Sequence, residues 1–208
     1  VSVPPDETLL PRLRAGDDDA FALVLDAWSA GMLRLARVYV STPESAAEVV
    51  QETWLAVIAG LDGFAGRSSL RTWVYRILIN TAKRRGGRES RTVPLSSLGP
   101  TVDPAAFAGP GEPFSGHWRE LPAPWPTPEQ HTLSAEVRDR IATALAGLPE
   151  RQRAVLVLRD VQGHTSAEVC AILELSAANQ RVLLHRARAA VRAELATYFA
   201  AAGEGRPR

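Results

Sequence analysis

Nine of the fifteen prolines fall in one stretch, at Pro94, Pro100, Pro104, Pro110, Pro113, Pro122, Pro124, Pro126 and Pro128. Each ring fixes φ and removes a backbone N–H donor, so no regular helix or interior strand runs through them. A segment of roughly 40 residues of this kind is too long for an ordinary loop. It reads as a linker or a functional extended segment. The chain of 208 residues is thereby parted into a domain over 1–90, an extended linker over 91–127, a second domain over 128–200 and a flexible tail over 201–208.

Both flanks carry helical periodicity. Phe21, Leu25, Trp28, Met32, Leu35 and Tyr39 recur at spacings of four and three, the stripe of an amphipathic helix. After a turn at Thr42-Pro43, the pattern repeats in Val50, Trp54, Val57 and Leu61. Asp62 to Gly66 reads as a loop, and Ser68 or Ser69 can cap a third helix that buries Leu70, Val74, Ile77, Leu78 and Thr81. No stretch alternates as a half-buried strand does. The expected fold class is all-α: two small helical domains joined by a long proline-rich linker.

In the second domain Thr127-Pro128-Glu129-Gln130 combines a proline at the first helical position with a Thr/Gln capping box, so a helix is expected from about 128 to 148. LPERQRAVLVLRDVQG follows, with Ala154, Val157, Leu158 and Val161 as an inward stripe. Thr165 and Glu168 have capping-box spacing, which starts a helix at Ser166 with Val169, Ile172 and Leu173 facing inward. It should end near Glu174-Leu175, where Ser176 can cap the next helix. There Leu184, Ala187, Val191 and Leu195 form the inward stripe, while Arg181, His185, Arg186, Arg188 and Arg192 stand elsewhere on the cylinder. Two short helices, a tight turn and an arginine-rich second helix make a helix-turn-helix pattern, whose second helix would enter a DNA major groove. An ordinary helical hairpin with a solvated basic face has the same signature.

A net charge of +1 conceals strong segregation. Lys83 is the only lysine, and the other basic residues are arginines, suited to bidentate contacts with phosphate and guanine. From Arg67 to Arg91 eight positive residues face one acid, Glu89, whereas acids gather at Asp17 to Asp19 and at Glu44, Glu48 and Glu52. Such segregation marks separate partner surfaces. No apolar run is long enough to span a membrane, and the first residues lack the pattern of a signal peptide. The lone Cys170 excludes an internal disulfide and fits a reducing, cytoplasmic setting. No ligand-like His/Cys cluster, paired carboxylates, nucleophile constellation or phosphate-binding glycine loop stands out, so neither a metal, a cofactor nor an enzymatic activity is expected.

Two faces remain outside the expected core. Glu48, Gln51, Glu52 and Leu55 share the outward side of the second helix, an acidic strip with an exposed apolar member, suited to protein docking or to plain solvation. Trp73, Arg76, Asn80, Lys83 and Arg84 fall on or near one face of the third. A cationic face edged by an aromatic ring can hold phosphates and stack on an unpaired base; a core tryptophan beside solvated arginines is the alternative.

In this order the pieces resemble a bacterial RNA polymerase sigma factor of the extracytoplasmic-function group, across nearly the whole chain. AAEVVQETW (46–54) resembles the core-polymerase-binding helix of the group's domain two. FAGRSSLRTWVYRILINTAKRR (64–85) resembles its segment that recognises and opens the −10 element. LPERQRAVLVLRDVQGHTSAEVCAILELS and LLHRARAAV resemble domain four, which reads the −35 element. The resemblance implies that Glu48, Gln51, Glu52 and Leu55 dock on the β′ subunit, with β as a further contact of core polymerase. It implies that the 62–69 loop, with Phe64, Arg67 and Ser68, captures a base flipped from the non-template strand. Trp73, Arg76, Asn80, Lys83 and Arg84 would then support strand separation and backbone contacts. Opening a duplex requires somewhere for the unstacked base to go, which agrees. The resemblance also implies a polymerase that does the chemistry, a linker running through its cleft, and an anti-sigma factor as partner.

Three places depart from the group's pattern. Asn179-Gln180-Arg181-Val182-Leu183-Leu184 stands where threonine-valine-lysine-serine-arginine-leucine is typical. Arg84 occupies a position often held by aspartate, and the linker is long, with Trp118 and Trp125 among its prolines. Gln180 falls in line with Leu184, Ala187 and Val191, so partial burial and base reading are both open to it. Side-chain geometry assigns base-edge contacts to Asn179 and Arg181 and phosphate contacts to Arg186 and Arg188, with His185 completing the −35 set. The competing reading is a helix-turn-helix regulator with an all-helical sensor domain, acting on duplex DNA without polymerase.

Overall fold

A computed structural model describes residues 3–89 and 135–204. The linker with Trp118 and Trp125, and the capping box at Thr127 to Gln130, lie outside the described residues. Among those described, every regular element is helical: α1 (Asp6–Arg14), α2 (Asp18–Ala36), α3 (Pro43–Gly60), α4 (Leu70–Glu89), α5 (Ala135–Ala146), α6 (Glu150–Leu156), α7 (Ser166–Leu173) and α8 (Ala177–Glu204), with a π-helical turn, Val157–Val161, continuing α6. Two compact units result. The first joins residues 3–89 to 157–180, and the second joins 135–156 to 181–204.

The core of the first unit is built on α2, α3 and α4. Trp28 and Trp54 stack with centroids 6.3 Å apart and planes at 10°, and the Trp54 indole donates to the Ser29 hydroxyl at 3.3 Å. Val49, Val74, Tyr75 and Leu78 are buried beside them. Each helix has a local reason to start: Asp17 accepts from the Ala20 N–H, and Thr42 accepts from Ser45 ahead of Pro43, which fills first-turn donors. The far end of α4 is anchored at Glu89. Its carboxyl is held down at about 2 by hydrogen bonds, first from the Ser45 hydroxyl and then from Ser41. A Cβ on Gly86 would overlap the Tyr39 carbonyl oxygen, so the two backbones touch there.

Two sequence expectations need correction, and one helix has no expectation to match. Leu25 is 38% exposed and Phe21 half-buried, because α2 begins at Asp18 in a register that turns Ala20 and Val24 inward. Val161 is 51% exposed. There the Gln162 N–H bonds to the Val157 carbonyl at 3.0 Å; this wider π-turn takes in one extra residue and rotates Val161 off the stripe. Finally, α1 has no counterpart in the periodic patterns of the sequence. It buries only Leu9 and Leu13, two apolar residues one turn apart on a nine-residue helix, which is marginal without tertiary support.

Candidate nucleic-acid interface

The loop between α3 and α4 is held at both ends by α1. The Arg14 guanidinium donates to the carbonyls of Leu61 (3.3 Å), Asp62 (3.4 Å) and Phe64 (2.7 Å). Asp6 accepts from the Leu70 N–H at 2.6 Å, a carboxylate at the positive end of α4. Ser69, rather than Ser68, caps that helix by accepting from the Thr72 N–H at 3.2 Å. Phe64 is buried against Trp73, with centroids 5.0 Å apart. Ala65, Gly66 and Arg67 face solvent, and Gly66 adopts φ +67°, a conformation that favours glycine.

Along α4, Arg76, Asn80, Lys83 and Arg84 recur at spacings of four, three and one, and all four are exposed; Trp73, one turn earlier, is half-buried. Arg76 pairs with Glu174 at 3.0 Å. Arg84 reaches Glu52 at 3.3 Å, while Arg85 bridges Glu48, Glu52 (3.7 Å) and Glu89 (3.6 Å). The acidic strip and the cationic face therefore share an edge instead of lying apart. The Arg76–Glu174 and Arg84–Glu52 pairs are solvent-exposed, so each contributes little stability and can be exchanged for another charged partner. On α3, Glu48, Gln51 and Glu52 are exposed and Leu55 is 62% exposed; Ile58, one turn on and 55% exposed, extends the apolar end. Ile58 was legible as the i+3 neighbour of Leu55.

The helix-turn-helix has the expected local chemistry. Thr165 and Glu168 exchange both capping-box hydrogen bonds, and α7 ends on Glu174 in the left-handed region at φ 56°. The Ser176 hydroxyl accepts from the Asn179 N–H at 3.2 Å and so starts α8. Gln180 is only 1% exposed, and its side-chain oxygen accepts from the Ser166 hydroxyl at 2.8 Å. It ties the two helices together and is not available to a base. Asn179, Arg181, Arg186 and Arg188 are exposed, and His185 is half-buried.

His164, which precedes the capping box, carries no signal in the sequence pattern. It is fully buried, edge-on to Tyr75 with centroids 4.8 Å apart. Burial pushes its pKa down to about 4, the positive charge of Arg71 adds to the fall, and Glu168 opposes it. The imidazole is accordingly neutral at pH 7. Arg71 itself donates to the Gln162 carbonyl at 3.0 Å, and the Gln162 amide donates to the Gly31 carbonyl at 2.9 Å. These bonds bind residues 162–174 to α2 and α4.

Two parts of the chain match known protein families. Residues 25–92 match the family described as Sigma-70 region 2, and residues 138–191 match Sigma-70, region 4. The chain is 31% identical over 186 residues to the ECF RNA polymerase sigma-E factor of Salmonella typhimurium, covering 89% of this chain and 92% of the relative. It is 27% identical over 183 residues to the protein of that name from Haemophilus influenzae, covering 88% and 91%. Its fold resembles that of CnrH, solved in complex with the cytosolic domain of CnrY (TM-score 0.60, 21% identity, 92% of this chain and 97% of that one). It also resembles the sigma factor RpoE of Bartonella quintana, solved with the anti-sigma factor NepR (TM-score 0.58, 21% identity, 84% and 96%).

Proposed function

Because the chain belongs to the extracytoplasmic-function (ECF) RNA polymerase sigma factors, and so is a transcription initiation factor, we propose a role for each of its exposed faces. The domain over 1–90 binds core polymerase through Glu48, Gln51, Glu52 and Leu55. The same domain separates the strands of the −10 element through the 62–69 loop and α4. The domain over 128–200 holds the −35 duplex, with Asn179 and Arg181 on base edges, His185 beside them, and Arg186 and Arg188 on phosphates. A solved relative in fold carries an anti-sigma factor, and an inhibitor of that kind is the expected regulatory partner.

One observation carries the reading. Arg76, Asn80 and Lys83 form an exposed row on α4 beside a loop whose exposed residues, 65–67, lie between two anchored ends. Arg76 and Lys83 can hold a single-strand backbone and the Asn80 amide can donate to it, while the half-buried Trp73 offers an aromatic edge to an unstacked base. Residues Phe64 and Ser68 act from behind the loop, Phe64 by supporting Trp73, while Arg67 faces the strand.

The test is run-off transcription with core polymerase on genomic templates, with sequencing of the 5′ ends. Initiation upstream of a shared pair of elements supports the assignment. Tight duplex binding without core, together with no initiation from any template, favours the regulator instead.

A further inference from the structure

We propose that α1 is the positioning element for the base-reading loop, with Arg14 and Asp6 acting as its two clamps. The inference rests on the −10 role proposed above. Carbonyl groups from three loop residues, Leu61, Asp62 and Phe64, converge on the single Arg14 guanidinium. The guanidinium presents five N–H donors in a fixed planar fork, and Nε and one Nη serve the three carbonyls together. At the other end the Asp6 carboxylate fixes the first N–H of α4 at Leu70. The helix joining the clamps is itself anchored, since Leu9 is fully buried and Leu13 nearly so.

The consequence is geometric. Residues 61–64 and 69–70 cannot drift apart or together while α1 is seated, and of the residues between them 65–67 face solvent. Gly66, in its left-handed conformation, lets the backbone turn at the middle of that stretch. A loop that must accept one flipped base and refuse others needs fixed end points, because a displacement of about 1 Å in a positioned site can cost on the order of a hundred-fold in function. Both clamps bond to the backbone at the ends of the loop, so their effect should appear in base discrimination rather than in attachment to polymerase.

The experiment uses the full chain assembled with core polymerase. The probe is a forked promoter duplex taken from the transcript-start sequencing, with its non-template −10 segment single-stranded and each position varied through the four bases. Wild type, Arg14→Ala, Arg14→Lys and Asp6→Asn are compared for discrimination at the preferred base and, separately, for core affinity. Arg14→Lys keeps the charge and the aliphatic stem but loses the fork, and so should retain the fold. The expected result is a fall in discrimination of about ten-fold in both Arg14 variants, less in Asp6→Asn, with core affinity unchanged. Discrimination equal to wild type in Arg14→Lys and Arg14→Ala overturns the role of α1 alone. Parallel loss of core affinity and discrimination in all three variants assigns α1 to general stability and overturns it as well. A wild-type holoenzyme that discriminates at no single-stranded position sinks the −10 reading and the clamp together.

Discussion

Gly86 and Gly87 are neighbours on α4 with opposite surroundings. A Cβ at Gly86 would overlap the Tyr39 carbonyl oxygen and lie 3.2 Å from the carbonyl carbon, whereas a Cβ at Gly87 meets nothing within 4 Å. Alanine in place of glycine favours a helix interior by about 1 kcal/mol, a gain open to both positions. At Gly86 the obstacle is backbone, so no rotamer relieves it, and the end of α4 must move off the 37–40 segment. Overpacking of this kind costs about 1–3 kcal/mol, with backbone obstacles toward the upper end. Gly86→Ala should therefore be destabilised by about 1–2 kcal/mol net, and Gly87→Ala stabilised by up to about 1 kcal/mol. The gap of about 2–3 kcal/mol corresponds to melting temperatures about 10 °C apart. Thermal unfolding followed by helical circular dichroism measures it directly. Equal shifts in the two variants, or a more stable Gly86→Ala, would refute the contact between α4 and Tyr39.

His164 has a folded pKa of about 4 against an ordinary 6.5, lowered by burial and by Arg71. The unfolded chain takes up the proton first, so stability should fall as pH drops through 6.5 towards 4, by at most about 3 kcal/mol in total. Urea titrations of wild type and His164→Leu across that window should show the extra slope in wild type only; identical slopes would remove His164 as its source. Leu55→Asp should weaken core-polymerase binding at least several-fold while leaving the melting temperature within a degree or two, because Leu55 is exposed and surface changes are usually within about 0.5 kcal/mol. Fluorescence anisotropy with core polymerase, read beside the melting curve, separates the two effects. Asn179→Ala should relax base preference at one −35 position by about 1–3 kcal/mol, whereas Arg188→Ala should weaken all promoters alike. Promoter selections that keep an unchanged preference in Asn179→Ala would contradict its assignment.

The sequence disclosed most where the cause is local. The Thr165/Glu168 capping box, the Ser176 cap and the stripe of Leu184, Ala187 and Leu195 can be read directly because each depends on residues within a few positions. The same stripe left Gln180 open between burial and base reading, and only the tertiary contact with Ser166 decides for burial. Register failed where geometry departs from the regular helix, as at Val161 beside the π-turn. The edge shared by Glu48 and Glu52 with Arg84 and Arg85 is tertiary, and charge counts along the chain suggested distance instead. Least legible was the clamp made by Arg14: its acceptors are backbone carbonyls, which have no residue signature, and it belongs to a helix too short to announce itself.

By the roles proposed above, one chain holds a duplex element with α8 while α4 and its loop open a second. Initiation by holoenzyme carrying Trp73→Ala or Asn80→Ala, on a closed duplex promoter and on the same promoter with a pre-opened −10 bubble, tests it most directly. The expected result is a large loss on the duplex that the bubble substantially restores, since the strands no longer need separating. An equal loss on both templates, or none on either, would contradict it.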